Sequence, residues 1–272
     1  MQPPGARLPQ RPVGIRFVNA APPKLRSKVR SYARKLYRTR YAQLGWRDRA
    51  SDSSDSMLLR EAVIRFMVMD VRDDEARARA ARLGRAYIGH QTRAKRDLVD
   101  SQLAGLALAA AVQESGDTLF EHIVDLLGSS TDATARSNML SALGYAEDPE
   151  LSERTLDFAL DPRVRVNEID QLLRPQFRNP RTRERAWQWL TEHFDALAAR
   201  YGSSQVGGMP WYAASFCTDE AAAEVQHFFE PRVANLTGGP RNLAGAIEAI
   251  TLSAEKVRVY RPGIERAFAP RN

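Results

Sequence analysis

From Leu25 onward the apolar residues of this chain return every three or four positions, and no sustained polar–apolar alternation breaks that rhythm. A period near 3.6 gives a helix one apolar stripe to bury, whereas a strand needs a period of two. Leu25, Val29, Tyr32, Ala33, Leu36, Tyr37, Tyr41 and Leu44 predict a first helix, and Leu59, Ala62, Val63, Phe66 and Met67 a second. Ala76, Ala80, Leu83 and Tyr87 predict a third, opened by Asp73, Asp74 and Glu75 and stopped by Gly89. The stretch Leu98 to Val112 is apolar nearly all round, which suits a helix buried between neighbours. Leu119, Ile123, Leu126 and Leu127 mark the next helix, and Met139, Leu140 and Leu143, closed by Gly144, the one after.

Asp148-Pro149, Asp161-Pro162 and Asn179-Pro180 each read as a polar cap with proline at the first helical position, where its missing N–H is not needed. The helix expected after Asn179 carries Trp187, Leu190, Phe194 and Leu197 on one face; Trp189 lies nearly opposite, partly exposed or against a neighbouring helix. Gly202 to Pro210 reads as a loop. Thr218 caps a short helix with Val225, Phe228 and Phe229, ended by Pro231. Gly239-Pro240 opens another through Leu243, Ile247, Ile250 and Ala254, and a last one runs near Ile264 to Phe268. Roughly a dozen helices joined by short turns pack as antiparallel hairpins. The expected fold is all-α, a HEAT-like α-solenoid of antiparallel helix pairs, curved or bowl-shaped, and degenerate because no strict repeat recurs.

At 272 residues the chain is long enough to bury a core without disulfide staples, and its single cysteine, Cys217, permits no internal disulfide. That thiol sits in an apolar stretch and reads as buried and structural; one thiol is compatible with a reduced cytosol or a bacterial periplasm. Residues 1–24 are rich in proline and arginine and are expected to form a flexible leader, with residues 25–272 as one helical-repeat domain. Residues 1–50 hold thirteen Lys/Arg against one acid, so residues 51–272 carry a net charge of −5 although the whole chain is at +7. The basic character therefore belongs to the N-terminal segment, and nucleic acid is not the expected partner. Tyr32, Tyr37 and Tyr41 share an apolar helix face and read as core packing before base stacking. Leu103 to Val112 is the longest apolar run, half the roughly twenty residues a membrane span needs. With no signal-like apolar core near Met1, a soluble protein is expected.

The residues that would carry hydrolysis are missing. His90, His122, His193 and His227 include no pair at i, i+4, and Glu121-His122 and Glu192-His193 lack the second histidine of His-Glu-x-x-His. No Gly-x-Ser-x-Gly elbow and no phosphate loop ending in Gly-Lys-Ser/Thr is present. Gly238-Gly239-Pro240-Arg241 offers free N–H groups and a cation to an anion, although a loop and a proline-opened helix explain it as well.

Five fragments, in order, carry a resemblance. They are Tyr41-Ala-Gln-Leu44-Gly45-Trp46 with Asp55-Ser56-x-x-Leu59-Arg60; Ser141-Ala142-Leu143-Gly144 with Asp148-Pro149; Ala186-Trp187-x-Trp189-Leu190; Phe216-Cys217-Thr218 through Val225-x-x-Phe228-Phe229; and Arg241-x-Leu243 through Ile247-Glu248-x-Ile250. Over residues 41–268 the chain resembles the C-terminal helical domain of the aminopeptidase N family of zinc metallopeptidases, which includes puromycin-sensitive and endoplasmic-reticulum aminopeptidases. The resemblance implies a non-catalytic domain that caps a zinc-bearing catalytic domain and shapes the cavity where peptides are held. It implies zinc in that other domain and none in this chain. The family's β-sandwich and catalytic domains, with the zinc motif and Gly-x-Met-x-Asn, are not in this sequence; Gly207-Gly208-Met209-Pro210 is not that motif. The chain is then an excised fragment, a truncated gene product or a separate chain acting with a partner.

Polar residues at helix starts and turns, where a solenoid presents binding groups, give Asn167, Glu168, Arg178 and Arg241 as candidate peptide contacts. A cap or a surface charge is the structural alternative for each. A second reading of the whole chain is a stand-alone helical scaffold that binds a protein partner.

Overall fold

A computed structural model describes residues 18, 21–47, 49 and 51–268. Among them are twelve α-helices and no strand, so the chain is all-α. Most of the expected leader, residues 1–24, lies outside the described residues; Pro23 and Lys24 already form the first turn of helix α1, Pro23–Leu44. Helix α2, Ser54–Arg65, continues directly into a π-helical turn, Phe66–Val71, which ends at Arg72 in the left-handed conformation (φ 57°). Helix α3 spans Asp74–Ile88, and Gly89, at φ 74°, ends it as expected. Next come α4, Ser101–Ser115; α5, Asp117–Ser129; α6, Ala133–Gly144; and α7, Pro149–Phe158. Then follow α8, Ile169–Arg178; α9, Arg183–Arg200; α10, Ser203–Gly208; α11, Asp219–Val233; and α12, Gly239–Phe268.

The helices sort into two rows. In one, α4 packs on α6, α6 on α8, α8 on the 3₁₀ segment Met209–Ser215, and that segment on α12. From Leu103 to Val112, α4 is buried on every side except at half-buried Gly105, as its all-round apolar sequence requires. In the other row, α5, α7, α9 and α11 are joined by side chains. Arg154 of α7 pairs with Asp117 and Glu121 of α5. Trp189 of α9 donates to Asp157 of α7 (2.8 Å), and Trp187 donates to Glu224 of α11 (2.6 Å). Trp189 is therefore buried against a neighbouring helix, at 5% exposure, although it lies opposite Trp187. Small residues set the closest approach: a Cβ on Gly84 of α3 would overlap the carbonyl oxygen of Ala107 in α4.

Several expected boundaries are corrected. Asp148 caps α7, accepting from the N–H groups of Glu150 and Leu151, but the other two Asx-Pro pairs make turns. Asp161 accepts from Arg163 N–H and Asn179 from Arg181 N–H, so the following helices begin later, at Ile169 and Arg183. Gly202 to Pro210 is not a loop. It contains α10, whose Gly207 fits because a side chain there would lie 2.6 Å from Thr237 O, and the start of the 3₁₀ segment that buries Met209, Tyr212 and Ala213. Pro231 falls inside the last turns of α11, and the expected final helix is the end of one 30-residue α12 that accommodates Pro262. Cys217 is half-buried, with Arg183 3.9 Å from its sulfur. Of the three tyrosines, Tyr37 and Tyr41 are half-buried, but Tyr32 is 55% exposed and is not core.

Candidate functional site

The C-terminal ends of α4, α6 and α8 line one hollow of about 150 Å³, so α5 and α7 between them run back the other way. Gln113 comes from the end of α4, Tyr145 and Glu147 from just past α6, and Arg178 and Asn179 from the end of α8. The π-helical turn contributes Asp70 and Arg72, and α1 adds Arg26 and Arg30. Helix C-termini present unpaired carbonyls and a partial negative charge, so cations collect there. Five arginines (Arg26, Arg30, Arg72, Arg178 and Arg181) share the hollow with two carboxylates, Asp70 and Glu147.

Glu147 is the hub. It accepts from Arg72 at 2.7 Å, Asn179 Nδ2 at 3.0 Å and Gln113 Nε2 at 3.2 Å, and Arg181 stands 3.5 Å away. Gln113 also donates to Tyr145 O, which ties α4 to the end of α6. Arg72 reaches Glu147 from a left-handed backbone that disfavours a residue with a Cβ by about 1–2 kcal/mol. One α6 terminus is satisfied from α8 as well: buried Gln176 donates to Gly144 O and Ala146 O, both at 2.8 Å. The site is held by scaffold on every side, with cations left over.

Burial and crowding act on two of its members. Burial lowers the pKa of Arg30, and Arg72, Arg26 and Arg181 lower it further, with Glu147 opposing. Burial pushes the Asp70 carboxyl up to about 6 against the pull of Arg30 and Arg65. A bound anion would offset the shift at Arg30 by adding negative charge among the arginines, and would favour the protonated form of Asp70.

The four residues expected from sequence do not converge. Arg178 lines this hollow, exposed. Asn167 is exposed in the 3₁₀ turn before α8, so the ten-residue helix, about 15 Å long, separates it from Arg178. Glu168, at 6% exposure, is the bidentate partner of Arg136 (2.8 Å to each oxygen) and also accepts from Arg165 N–H. Both its oxygens are committed inside the fold. Arg241 lies in the first turn of α12, beside a separate hollow of about 620 Å³ with Trp211, Asn242 and Glu248. There Gly238 has φ 72° and Gly239 N–H is bonded to Leu236 O, so the glycine pair forms a turn and helix start. Sequence reading missed Arg26, Arg30, Asp70, Arg72, Glu147 and Arg181. No local sequence signal marks them, because they come from separate elements that only the packing brings together.

The described residues do not fit a zinc site. No three His, Cys, Asp or Glu side chains among them gather as metal ligands would, and the rings of His90 and His122, 5.4 Å apart, lack a third partner. No helix among the described residues is long and apolar enough to cross a membrane.

Residues 14–252 match the ERAP1-like C-terminal domain family. Aminopeptidase M1-D of Oryza sativa subsp. japonica is 24% identical over 251 residues, 91% of this chain and 28% of its own length. The Alanine/arginine aminopeptidase of Saccharomyces cerevisiae is 30% identical over 145 residues, 52% of this chain and 17% of its own length. Aminopeptidase M1-B of Oryza sativa subsp. japonica is 23% identical over 246 residues, 89% of this chain and 27% of its own length. The chain thus spans less than a third of each of these relatives. With its all-helical structure and a match over most of its length, the chain belongs to the ERAP1-like C-terminal domain family, the C-terminal domain of M1-type aminopeptidases.

Proposed function

We propose that this domain caps the catalytic domain of a zinc aminopeptidase and that its arginine basin holds the C-terminal carboxylate of the peptide. The observation that carries the reading is the surplus of guanidinium groups around Glu147, in a chain whose relatives are named aminopeptidases. A guanidinium pairs with a carboxylate through two parallel hydrogen bonds, which fixes orientation as well as affinity. Arg178, exposed at the end of α8, is the basin residue best placed to do so, while Arg72 is committed to Glu147. Arg241 contributes to the cavity wall from its separate hollow. In this reading the zinc and the hydrolytic chemistry belong to the catalytic domain, and the peptide lies between the two domains.

The test mixes the chain with an aminopeptidase catalytic portion that lacks its own C-terminal domain and follows cleavage of peptides of graded length. Restored length preference is expected. An Arg178→Ala variant should raise KM for peptides with a free carboxyl terminus by roughly tenfold, the worth of one charge-assisted hydrogen bond, and leave the C-terminally amidated peptides unchanged. Identical rates with and without the chain would overturn the capping role. Equal losses for free and amidated peptides would overturn the anion site alone.

A further inference from the structure

The apolar face of α1 extends beyond the surface that covers it. Leu36 is 59% exposed and Tyr32 55%, and across from them on α12 Val259 is 71% exposed. Between α1 and the C-terminal half of α12 runs a groove of about 480 Å³ whose walls include Val29, Ala33, Leu36, Tyr37, Tyr260 and Ile264. The two helices are antiparallel there: Lys28 donates to Phe268 O and the Tyr32 ring meets Phe268 edge-on at 5.8 Å, while Leu36 and Tyr37 share the groove with Val259 and Tyr260. From Val29 to Tyr37 the groove follows α1 for more than two turns, about 12 Å, an extent suited to a helix and longer than a single side chain needs.

The rim is cationic. Helix α1 carries eight Lys/Arg and no Asp or Glu. Its helical period sets Lys28 and Lys35 along the edge beside Tyr32 and puts Arg40 one turn past Leu36. On α12 the same period puts Lys256 one turn before Tyr260 and Arg266 along the outer edge by Val259, while Glu255 is held by Arg258. An apolar floor between two antiparallel helices, with positive charge on both margins, has a specific complement. We propose that this groove docks an amphipathic α-helix of a protein partner, with apolar residues at i, i+3, i+4 and i+7 set into the floor and an acidic flank meeting Lys28, Lys35, Lys256 and Arg266. The site lies apart from the arginine basin and does not depend on the peptide-holding role.

The test uses two fluorescent synthetic helices with the same leucine positions, one with glutamate and one with lysine at every polar position, titrated against the full chain by anisotropy. The glutamate peptide is expected to bind roughly tenfold or more tightly than the lysine peptide, with the difference shrinking at high salt. Leu36→Glu and Val259→Asp alter exposed positions; each should weaken the glutamate peptide at least roughly tenfold with unchanged circular dichroism and melting temperature. A Lys35→Glu/Lys256→Glu double variant should invert the preference. Equal binding of the two peptides, or full affinity in both apolar variants, would overturn the proposal. So would a dimer in sedimentation that dissociates in Leu36→Glu, or binding of anionic vesicles in preference to the peptide.

Discussion

At Glu168 the carboxylate takes two 2.8 Å hydrogen bonds from Arg136 and a third from a backbone N–H, and both side chains are buried. The Arg136 guanidinium holds the carboxyl below its ordinary value. Its stabilising contribution is therefore complete above that ordinary value, 4.5, and is lost as the pH falls through the depressed folded value. Removing one member strands the other: Glu168→Ala is expected to cost about 3–5 kcal/mol, read as a lower denaturant midpoint at neutral pH. Asp70 has the opposite sign. Burial raises its carboxyl from 3.8 to about 6, so its contribution to stability is full below 3.8 and is lost as the pH rises through 6. Asp70→Asn should melt above the wild type at neutral pH, and the two melting curves should converge below pH 3.8. The same titration makes the arginine basin more positive below pH 6.

Among the elements, the α3–α4 contact shows how far composition alone carries. Ala76, Ala80 and Ala81 of α3 are fully or almost fully buried, and the absent side chain at Gly84 lets the α4 backbone approach. Gly84→Ala improves helix propensity by about 1 kcal/mol, yet the new methyl meets the Ala107 carbonyl, which is backbone and cannot turn aside. A net loss of about 1–3 kcal/mol is expected, measured by chemical denaturation. The helix starts show the limit of local reading. Asp148-Pro149, Asp161-Pro162 and Asn179-Pro180 look alike in sequence, and in each the Asx side chain accepts from the N–H two residues on. At Asp148 it also accepts from the N–H three residues on and the helix continues, because Leu151 and Ser152 find a buried face there.

Across the whole molecule, the apolar period of three and four determined the class of fold and most of the core. Trp187, Leu190, Phe194 and Leu197 are buried as the pattern demands, and the absence of His-Glu-x-x-His is a fact of sequence alone. Arg178 was legible because a cation at a helix end is a local feature. The rest of its basin was not. Arg30, Arg72, Glu147 and Arg181 lie on different elements, and only the packing of α4, α6 and α8 with their carboxyl ends together brings them into one hollow. Periodicity likewise placed Tyr32 and Leu36 on the apolar face of α1, but it could not tell how much of that face would be covered. The return of α12 to α1 decided that, since burial depends on what arrives from elsewhere in the chain, and a sequence window records only which side of a helix is apolar.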